Sequence, residues 1–343
     1  MTKIINNNSL GFEDVFIVPQ YSEIASRRHA DVSCYLTNTL NVPVPVISAN
    51  MDTVTGPEMC IALARSGAIG ALHRFMTIEE NAKAVEGIIT ELTKDFTDLA
   101  PYKFMVSVGV GNDALPRAEA LYDAGARMFI IDIAHGHSFL MKTMIENMRE
   151  AFGDEIFIVA GNVATHEGAC DLAKWGADAI KVGIGPGAAC TTKNVTGVTV
   201  PQFTAVLNIA EALDRLGMDV LLIADGGIRE IGDIAKALGA GADLVMCGRL
   251  FAGCHEAPGE RIDGKKVYRG SSSADVNKIL KSSDNLPTPE GISTLISTDE
   301  SPASDLVKKI QGGLQSAFSY SNAKSLKEFH ARCVFGIRKT EIR

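Results

Sequence analysis

The segment AGARMFIID, residues 124–132, combines a helix end, a one-residue turn and an apolar strand. Two further segments repeat this pattern, WGADAIKVG at 175–183 and AGADLVMCG at 240–248. In each, Gly-Ala follows a stretch of helical periodicity, as expected at a helix C-terminus, and the next residues are largely apolar. Continuous apolar strands are typical of parallel sheets that are buried on both faces. The repeat therefore predicts an α/β fold in which helices and strands alternate.

Apolar runs of this kind recur along the whole chain, separated by helix-periodic segments. The predicted strands are 45–48, 68–72, 103–107, 128–132, 156–160, 179–182, 220–224 and 244–247. The predicted helices include 58–66, 118–124, 139–151, 167–175, 203–216, 232–238 and 304–318. Eight strand–helix units favour a TIM (β/α)8 barrel that forms a single domain over residues 1–343, with a doubly wound open sheet as the alternative.

Composition excludes several classes of protein. The 343 residues are 46% hydrophobic and carry a formal net charge of −8, which is typical of a globular enzyme. No basic cluster indicates a nucleic-acid partner, and no apolar run is long enough to cross a membrane. The start of the chain lacks the apolar core of a signal peptide, and seven scattered cysteines form no CxxC pair. We therefore expect a cytoplasmic enzyme with neither a nucleic-acid nor a membrane partner.

Residues 259–300 differ from the rest of the chain because they are polar and rich in serine and proline. They follow the last predicted strand, at the point where a barrel would close. We therefore expect a long excursion from the barrel, called the excursion below. Composition is compatible with a mobile flap over the site and equally with a disordered segment.

Polar and glycine-rich segments follow most of the predicted strands. They are SANMD at 48–52, Asp132 with His135, Gly161-Asn162, GIGPG at 183–187, DGG at 225–227, and Gly248-Arg249. In a TIM barrel, the groups that carry chemistry lie at the carboxyl ends of the strands, so these segments should surround one site. The spacing of His135 and His137 is poor for one metal ion, which favours a role in lining a substrate or cofactor.

The segment VGIGPGAACTTKN, residues 182–194, is open to several interpretations. Its glycines suit backbone N–H groups that approach an anion, backbone carbonyls that ring a monovalent cation, or simply a tight turn. Cys190 in the same segment is either a small buried hydrophobe or a nucleophile whose thiolate attacks an electrophilic carbon. The segments after the seventh and eighth strands, DGG and GR, favour a phosphate nearby.

Six ordered blocks resemble the IMP dehydrogenase/GMP reductase family of TIM barrels over essentially the whole chain. The blocks are GFEDVFIVPQYS (11–22), SANMDTV (48–54), VGIGPGAACTTK (182–193), IADGGIREIGDIAKALGAGAD (223–243), GRLFAG (248–253) and YRGSSS (268–273). The resemblance implies a purine nucleotide as substrate, a nicotinamide cofactor, a monovalent cation such as K⁺, and a homotetramer.

The resemblance also implies a role for each matching residue. Cys190 is the expected nucleophile toward purine C2, and Thr192 with Glu290 is the expected proton relay. The expected substrate residues are Asp225, Gly226, Gly227, Gly248, Arg249, Gly270, Ser271, Ser272 and Gly291. The expected cofactor residues are Ser26, Arg27, Arg74, Asp132, Ile133, Ala134, Ile184 and Gly185. The carbonyls expected to hold the cation belong to Gly185, Gly187 and Cys190.

Several features resemble the reductase branch of the family. His73-Arg74 leads through one helix to the third strand, which leaves no room for the regulatory CBS insertion that dehydrogenases usually carry there. Residues 273–290 contain no Arg-Tyr pair, which in dehydrogenases activates water. These features imply NADPH-dependent reduction of GMP to IMP and ammonia. A dehydrogenase without the CBS module, converting IMP and NAD, is the alternative, as is an inactive nucleotide-binding relative.

Overall fold

The computed structural model describes residues 9–276, 288–298 and 300–338. Its strands are β1 (Val15–Ile17), β2 (Cys34–Tyr35), β3 (Asn41–Val42), β4 (Val46–Ser48), β5 (Ile69–Leu72), β6 (Phe104–Val108), β7 (Met128–Asp132), β8 (Phe157–Val163), β9 (Ala179–Val182), β10 (Leu221–Asp225), β11 (Leu244–Cys247), β12 (Arg261–Ile262), β13 (Lys265–Arg269), β14 (Ser293–Ser297) and β15 (Phe335–Ile337). Its α-helices are α1 (Pro57–Arg65), α2 (Ile78–Phe96), α3 (Ala114–Asp123), α4 (Phe139–Phe152), α5 (His166–Lys174), α6 (Thr192–Thr196), α7 (Gln202–Leu216), α8 (Ile231–Gly239), α9 (Arg249–Ala252), α10 (Ala303–Tyr320) and α11 (Leu326–Arg332).

Strands β4 to β11 form a closed parallel barrel in chain order, with β11 hydrogen-bonded to β4. All eight correspond to the predicted strands, so the TIM barrel is confirmed and the open sheet is wrong. The register of the strands aligns Asp132 with Gly161, and Gly161 with Lys181. Asp132, Gly161 and Lys181, on three neighbouring strands, therefore lie at one level near the carboxyl ends of the strands.

The helices pack around the barrel, with bounds close to those predicted from periodicity. The exception is α3, which begins at Ala114, whereas the sequence predicts a start at residue 118. Pro116 explains the difference, because proline is tolerated in the first turn of a helix, where its missing N–H would have no partner. A side-chain cap defines the start of α2, where the Thr77 hydroxyl accepts a hydrogen bond from Glu80 N.

The described part of the excursion is an antiparallel sheet in the order β12-β13-β14. Its strand β13 alternates, with Lys266 and Tyr268 buried, so one face of this sheet packs on the barrel. Residues 277–287 and 299 of the predicted excursion lie outside the described ranges. Near the two termini of the described chain, β1 pairs with β15. Within the described ranges, no helix has the length and apolar character that crossing a membrane requires.

Candidate active site

The loop after β9 is held against the end of the neighbouring strand β10. Gly183 has a φ of +149°, and a Cβ added there would lie 2.0 Å from the carbonyl oxygen of Asp225. Any side chain would separate the two strand ends, so this position requires glycine. The close approach directs the rest of the loop, up to Cys190, across the mouth of the barrel.

Cys190, Thr192 and Glu290 form a continuous hydrogen-bonded chain. The Cys190 thiol donates to Thr192 Oγ1 at 3.2 Å, and the Thr192 hydroxyl donates to Glu290 Oε2 at 2.8 Å. The thiol is partly buried, whereas burial raises the pKa of Cys60 and Cys247 far above the usual value for a thiol. Because the thiolate is the nucleophilic form, those two buried thiols are inert by comparison.

Backbone hydrogen bonds fix Glu290 beside the cysteine, although 98 residues separate it from Thr192. Thr191 N donates to the Glu290 carbonyl at 2.8 Å, and Glu290 N donates to the Ser272 carbonyl at 3.1 Å. Ile292 N donates to the Ala189 carbonyl at 2.9 Å. The excursion therefore forms one wall of the site and supplies the Glu290 carboxylate.

Lys181 lies at the centre of a buried polar cluster, called the lysine cluster below, together with Asp132, Asn162 and Asp225. Its ammonium donates to Asp132 Oδ1 at 2.7 Å and to Asp225 Oδ2 at 2.6 Å, and it also contacts Asn162 Oδ1. The Asn162 amide donates to Asp225 Oδ2 at 2.9 Å. The side chain of Lys181 is only 2% exposed, so its ammonium is shielded from water, whereas Asp132 and Asp225 are 18% and 21% exposed and border the cavity.

Lys181 and Asp132 stabilise each other in their charged forms. Burial alone would raise the pKa of Asp132, but attraction to Lys181 and hydrogen bonds from Lys181 and Asn50 hold this pKa below its usual value. Burial likewise opposes the charge of Lys181, yet the carboxylates of Asp132 and Asp225 raise its pKa above the usual value. The ammonium and the Asp132 carboxylate are therefore both ionised at neutral pH.

The Cys190 chain and the lysine cluster line one cavity of about 320 Å³ at the carboxyl ends of the strands. Its wall contains most of the predicted site residues, namely Cys190, Thr192, Glu290, Asp225, Gly226, Gly270, Ser271, Ser272, Gly291, Arg74, Asp132, Ile133, Ala134, Ile184, Gly185 and Gly187. This volume lies at the lower end of the range of small-molecule sites, about 300–1,000 Å³.

Five of the predicted residues lie outside the cavity wall. Gly227 follows the wall residue Gly226, and Arg249 begins α9. Gly248 packs against Tyr268, since a Cβ added there would lie 2.8 Å from the Tyr268 hydroxyl.

Ser26 and Arg27 belong to a short 3₁₀ helix at 27–29 and its cap. The Arg27 guanidinium donates to Ser316 Oγ on α10 at 3.2 Å. The two histidines considered as ligands also lie outside the wall, and His137 Nε2 is 3.1 Å from Asp171 Oδ2. Among the described residues, no group of three or more His, Cys, Asp or Glu side chains is placed to hold a metal ion.

Arg74 stands out on the cavity wall because it is incompletely paired. Its buried Nε has no hydrogen-bond partner within the described part of the chain. Its guanidinium lies against Gly109 and within 5.4 Å of the Phe75 ring centroid. An unpaired buried N–H is costly, so this group suits a ligand that brings an acceptor such as a carbonyl or phosphate oxygen.

Lys181 and Tyr268 line the cavity, although no role is predicted for either from the sequence; Asn50, which also lines it, belongs to the predicted segment SANMD. Lys181 had a detectable signal, because it is the one charged residue inside the apolar run AIKV at 179–182. A lysine is almost never fully buried unless it is paired, so a partner could have been inferred. Tyr268 gave no comparable signal, since alternation in β13 is common to any half-buried strand.

The fold and the cavity define the class of this protein: it is a TIM-barrel enzyme with its cavity at the carboxyl ends of the strands. A family model described as "IMP dehydrogenase / GMP reductase domain" matches residues 9–341. The chain therefore belongs to the IMP dehydrogenase/GMP reductase family, whose members are oxidoreductases that act on purine nucleotides with a nicotinamide cofactor.

Similar proteins carry both names of the family. An inosine-5'-monophosphate dehydrogenase of Aquifex aeolicus is 33% identical, over 95% of this chain and 92% of its own. One of Cryptosporidium parvum is 34% identical, over 93% of this chain and 89% of its own. A crystal structure of a GMP reductase variant of Trypanosoma brucei with guanosine 5'-monophosphate has a TM-score of 0.88 at 28% identity. It matches 97% of this chain and 96% of that one, so the likeness extends over the whole fold.

Proposed function

We propose that this protein is a GMP reductase that converts GMP and NADPH into IMP, ammonia and NADP⁺. The observation that carries the proposal is the chain from Cys190 through Thr192 to Glu290, which joins a thiol, a hydroxyl and a carboxylate across one cavity wall. Reductive deamination needs a nucleophile to activate a ring carbon and an acid to protonate the departing amine. These residues provide both.

In the proposed reaction, the Cys190 thiolate attacks purine C2 and a C–S bond forms. The bond from C2 to its amino nitrogen then breaks, and ammonia leaves with a proton that passes from the Glu290 carboxyl through the Thr192 hydroxyl. A hydride subsequently reaches C2, the C–S bond breaks and the thiolate is restored. The net reaction is GMP + NADPH + 2H⁺ → IMP + NADP⁺ + NH₄⁺.

The cofactor supplies the hydride when it is bound. Arg74, Asp132, Ile133 and Ala134 would hold it, as the family resemblance implies, and all four line the cavity. The unpaired Nε of Arg74 fits an acceptor on such a ligand. Asp225 would bind the ribose hydroxyls of the substrate, and Ser271 and Ser272 would lie near its phosphate.

A monovalent cation such as K⁺ would be held by the carbonyls of Gly185, Gly187 and Cys190. The Gly187 carbonyl accepts a hydrogen bond from Cys190 N at 3.1 Å, which leaves a second lone pair for the cation. In this role the cation would stabilise the loop that presents Cys190. The proposed homotetramer and cytoplasmic location rest on the family resemblance and composition.

The dehydrogenase reaction is the second candidate, because dehydrogenases stand among the relatives. The alignment with the Aquifex aeolicus enzyme spans 456 positions, more than the 343 residues of this chain, so that relative contains segments without a counterpart here. The alignment with the Cryptosporidium parvum enzyme spans only 363 positions, so length alone does not separate the activities. The lack of an Arg-Tyr pair in 273–290 favours the reductase.

Absorbance at 340 nm separates the two reactions. With GMP and NADPH the purified protein should lower the absorbance, and with IMP and NAD it should produce no increase. If the absorbance increased with IMP and NAD and did not change with GMP and NADPH, the protein would be a dehydrogenase and not a reductase. No change in either mixture, with nucleotide binding intact, would favour an inactive relative.

A further inference from the structure

Lys181 joins groups from four consecutive barrel strands. Its own strand β9 lies between β8, which carries Asn162, and β10, which ends at Asp225. The ammonium also crosses past β8 to Asp132 at the end of β7. One buried cation therefore determines the separation of two carboxylates on strands that are not neighbours.

The two carboxylates line the same cavity from the ends of β7 and β10. Under the proposed function, Asp225 binds the ribose of the purine nucleotide, and Asp132 lies beside Ile133 and Ala134 on the cofactor path. A hydride transfer requires the two rings to be aligned within a fraction of an ångström. A rigid link between the two carboxylates would provide this alignment.

We propose that Lys181 is a positioning residue that holds Asp225 and Asp132 in register, so that substrate and cofactor are bound at a fixed separation. The inference rests on the proposed roles of these two carboxylates. Lys181 should therefore affect the binding of both ligands, whereas each carboxylate should affect the binding of only one.

Each carboxylate also accepts a hydrogen bond from an asparagine. Asn50 Nδ2 donates to Asp132 Oδ2 at 3.0 Å, and Asn162 Nδ2 donates to Asp225 Oδ2 at 2.9 Å. Loss of the ammonium would therefore remove the link between the two carboxylates, although each would still have one asparagine as a hydrogen-bond donor. Charge repulsion between the carboxylates would then move them apart or favour uptake of a proton by one of them.

The test compares Lys181→Met, Lys181→Arg and the control Lys174→Met, whose lysine is 64% exposed on α5. Calorimetry measures GMP and NADPH binding separately, without turnover, and steady-state assays give kcat. We expect Lys181→Met to weaken both ligands by about tenfold and to lower kcat by about a hundredfold, the scale of a small misalignment. Lys181→Arg should recover most of the loss, and Lys174→Met should match the wild type.

Two reference variants sharpen the test. Asp225→Asn should weaken GMP alone, and Asp132→Asn should weaken NADPH alone. If Lys181→Met weakened the binding of only one of the two ligands, the proposal would be overturned. A lower melting temperature with unchanged affinities and kcat would also overturn it, since that is the result of a purely structural role.

Failure of the proposed function would be visible separately. If the wild type oxidised IMP with NAD and left GMP unchanged, the reductase assignment would fall. The same titrations with IMP and NAD would then test Lys181, because the register of the two carboxylates is independent of the direction of hydride transfer.

Discussion

The two polar groups of the cavity are built on different kinds of structure. Cys190, Thr192 and Glu290 lie on a loop, a short helix and the excursion, and backbone hydrogen bonds hold them together. In the lysine cluster, all four groups are carried by β7, β8, β9 and β10 of the closed barrel. The groups proposed to react thus lie on loop-borne structure, and the groups proposed to orient the ligands lie on packed strands.

This difference indicates how the site divides its tasks. A nucleophile that forms and breaks a bond needs room to approach the substrate, which a loop provides. Groups that fix the positions of two ligands are more accurate on packed strands than on loops. Substitutions on the loop side should therefore change kcat with little effect on ligand binding, whereas substitutions in the lysine cluster should change affinities as well.

The largest effect is expected for Cys190→Ala. Without the thiol no covalent adduct forms, so kcat should fall by at least about a thousandfold, as it does when other enzymes lose a nucleophile. Calorimetry should still find GMP binding within a fewfold of the wild type. Cys333→Ala, at the other partly exposed cysteine, is the matched control and should keep full activity. Substantial turnover by Cys190→Ala would exclude the covalent route.

A smaller effect is expected for Glu290→Gln. The amide cannot deliver the proton that the leaving amine needs, so kcat should fall by about a hundredfold, within the usual range for general acid catalysis. Alkylation of Cys190 by iodoacetamide should continue at a similar rate, because the thiol is still present. Glu86→Gln on α2 is the control. Unchanged kcat in Glu290→Gln would remove this residue from the proton relay.

Gly270→Ala tests the contact between the excursion and the Cys190 loop. A Cβ at Gly270 would lie 2.8 Å from the Ala189 carbonyl oxygen, so the excursion must move outward. We expect kcat to fall by about tenfold, with a destabilisation of about 1–3 kcal/mol from overpacking. Gly253→Ala is the control, since a Cβ there has nothing within 4 Å. Equal kinetics in the two variants would mean that the excursion does not position Glu290.

Much of the barrel could be predicted from the sequence because its strands are buried on both faces and are therefore continuously apolar. The strands of the excursion are half-exposed, and β12 is only two residues long, so they leave no such pattern. The pairing of β1 with β15 also could not be predicted, because nothing local to Val15 specifies a partner at Ile337.

The candidate site was predictable where a motif carries its residues, as around Cys190 and Asp225. The pairing of Thr192 with Glu290 could be predicted only from the family resemblance, since 98 residues separate the two. Lys181 was missed because its role depends on strand register, which brings β7, β9 and β10 to one level. Positions such as Ser26 and Arg27 lie outside the cavity wall, and their roles remain predictions.

The central claim is that this cavity removes the amino group of GMP by reduction. The most direct test measures ammonia released and NADPH oxidised in the same reaction, for the wild type and for Cys190→Ala. We expect one ammonia for each NADPH with the wild type and neither product with the variant. NADPH oxidation without ammonia, or NADH formation from IMP and NAD with no reaction of GMP, would contradict it.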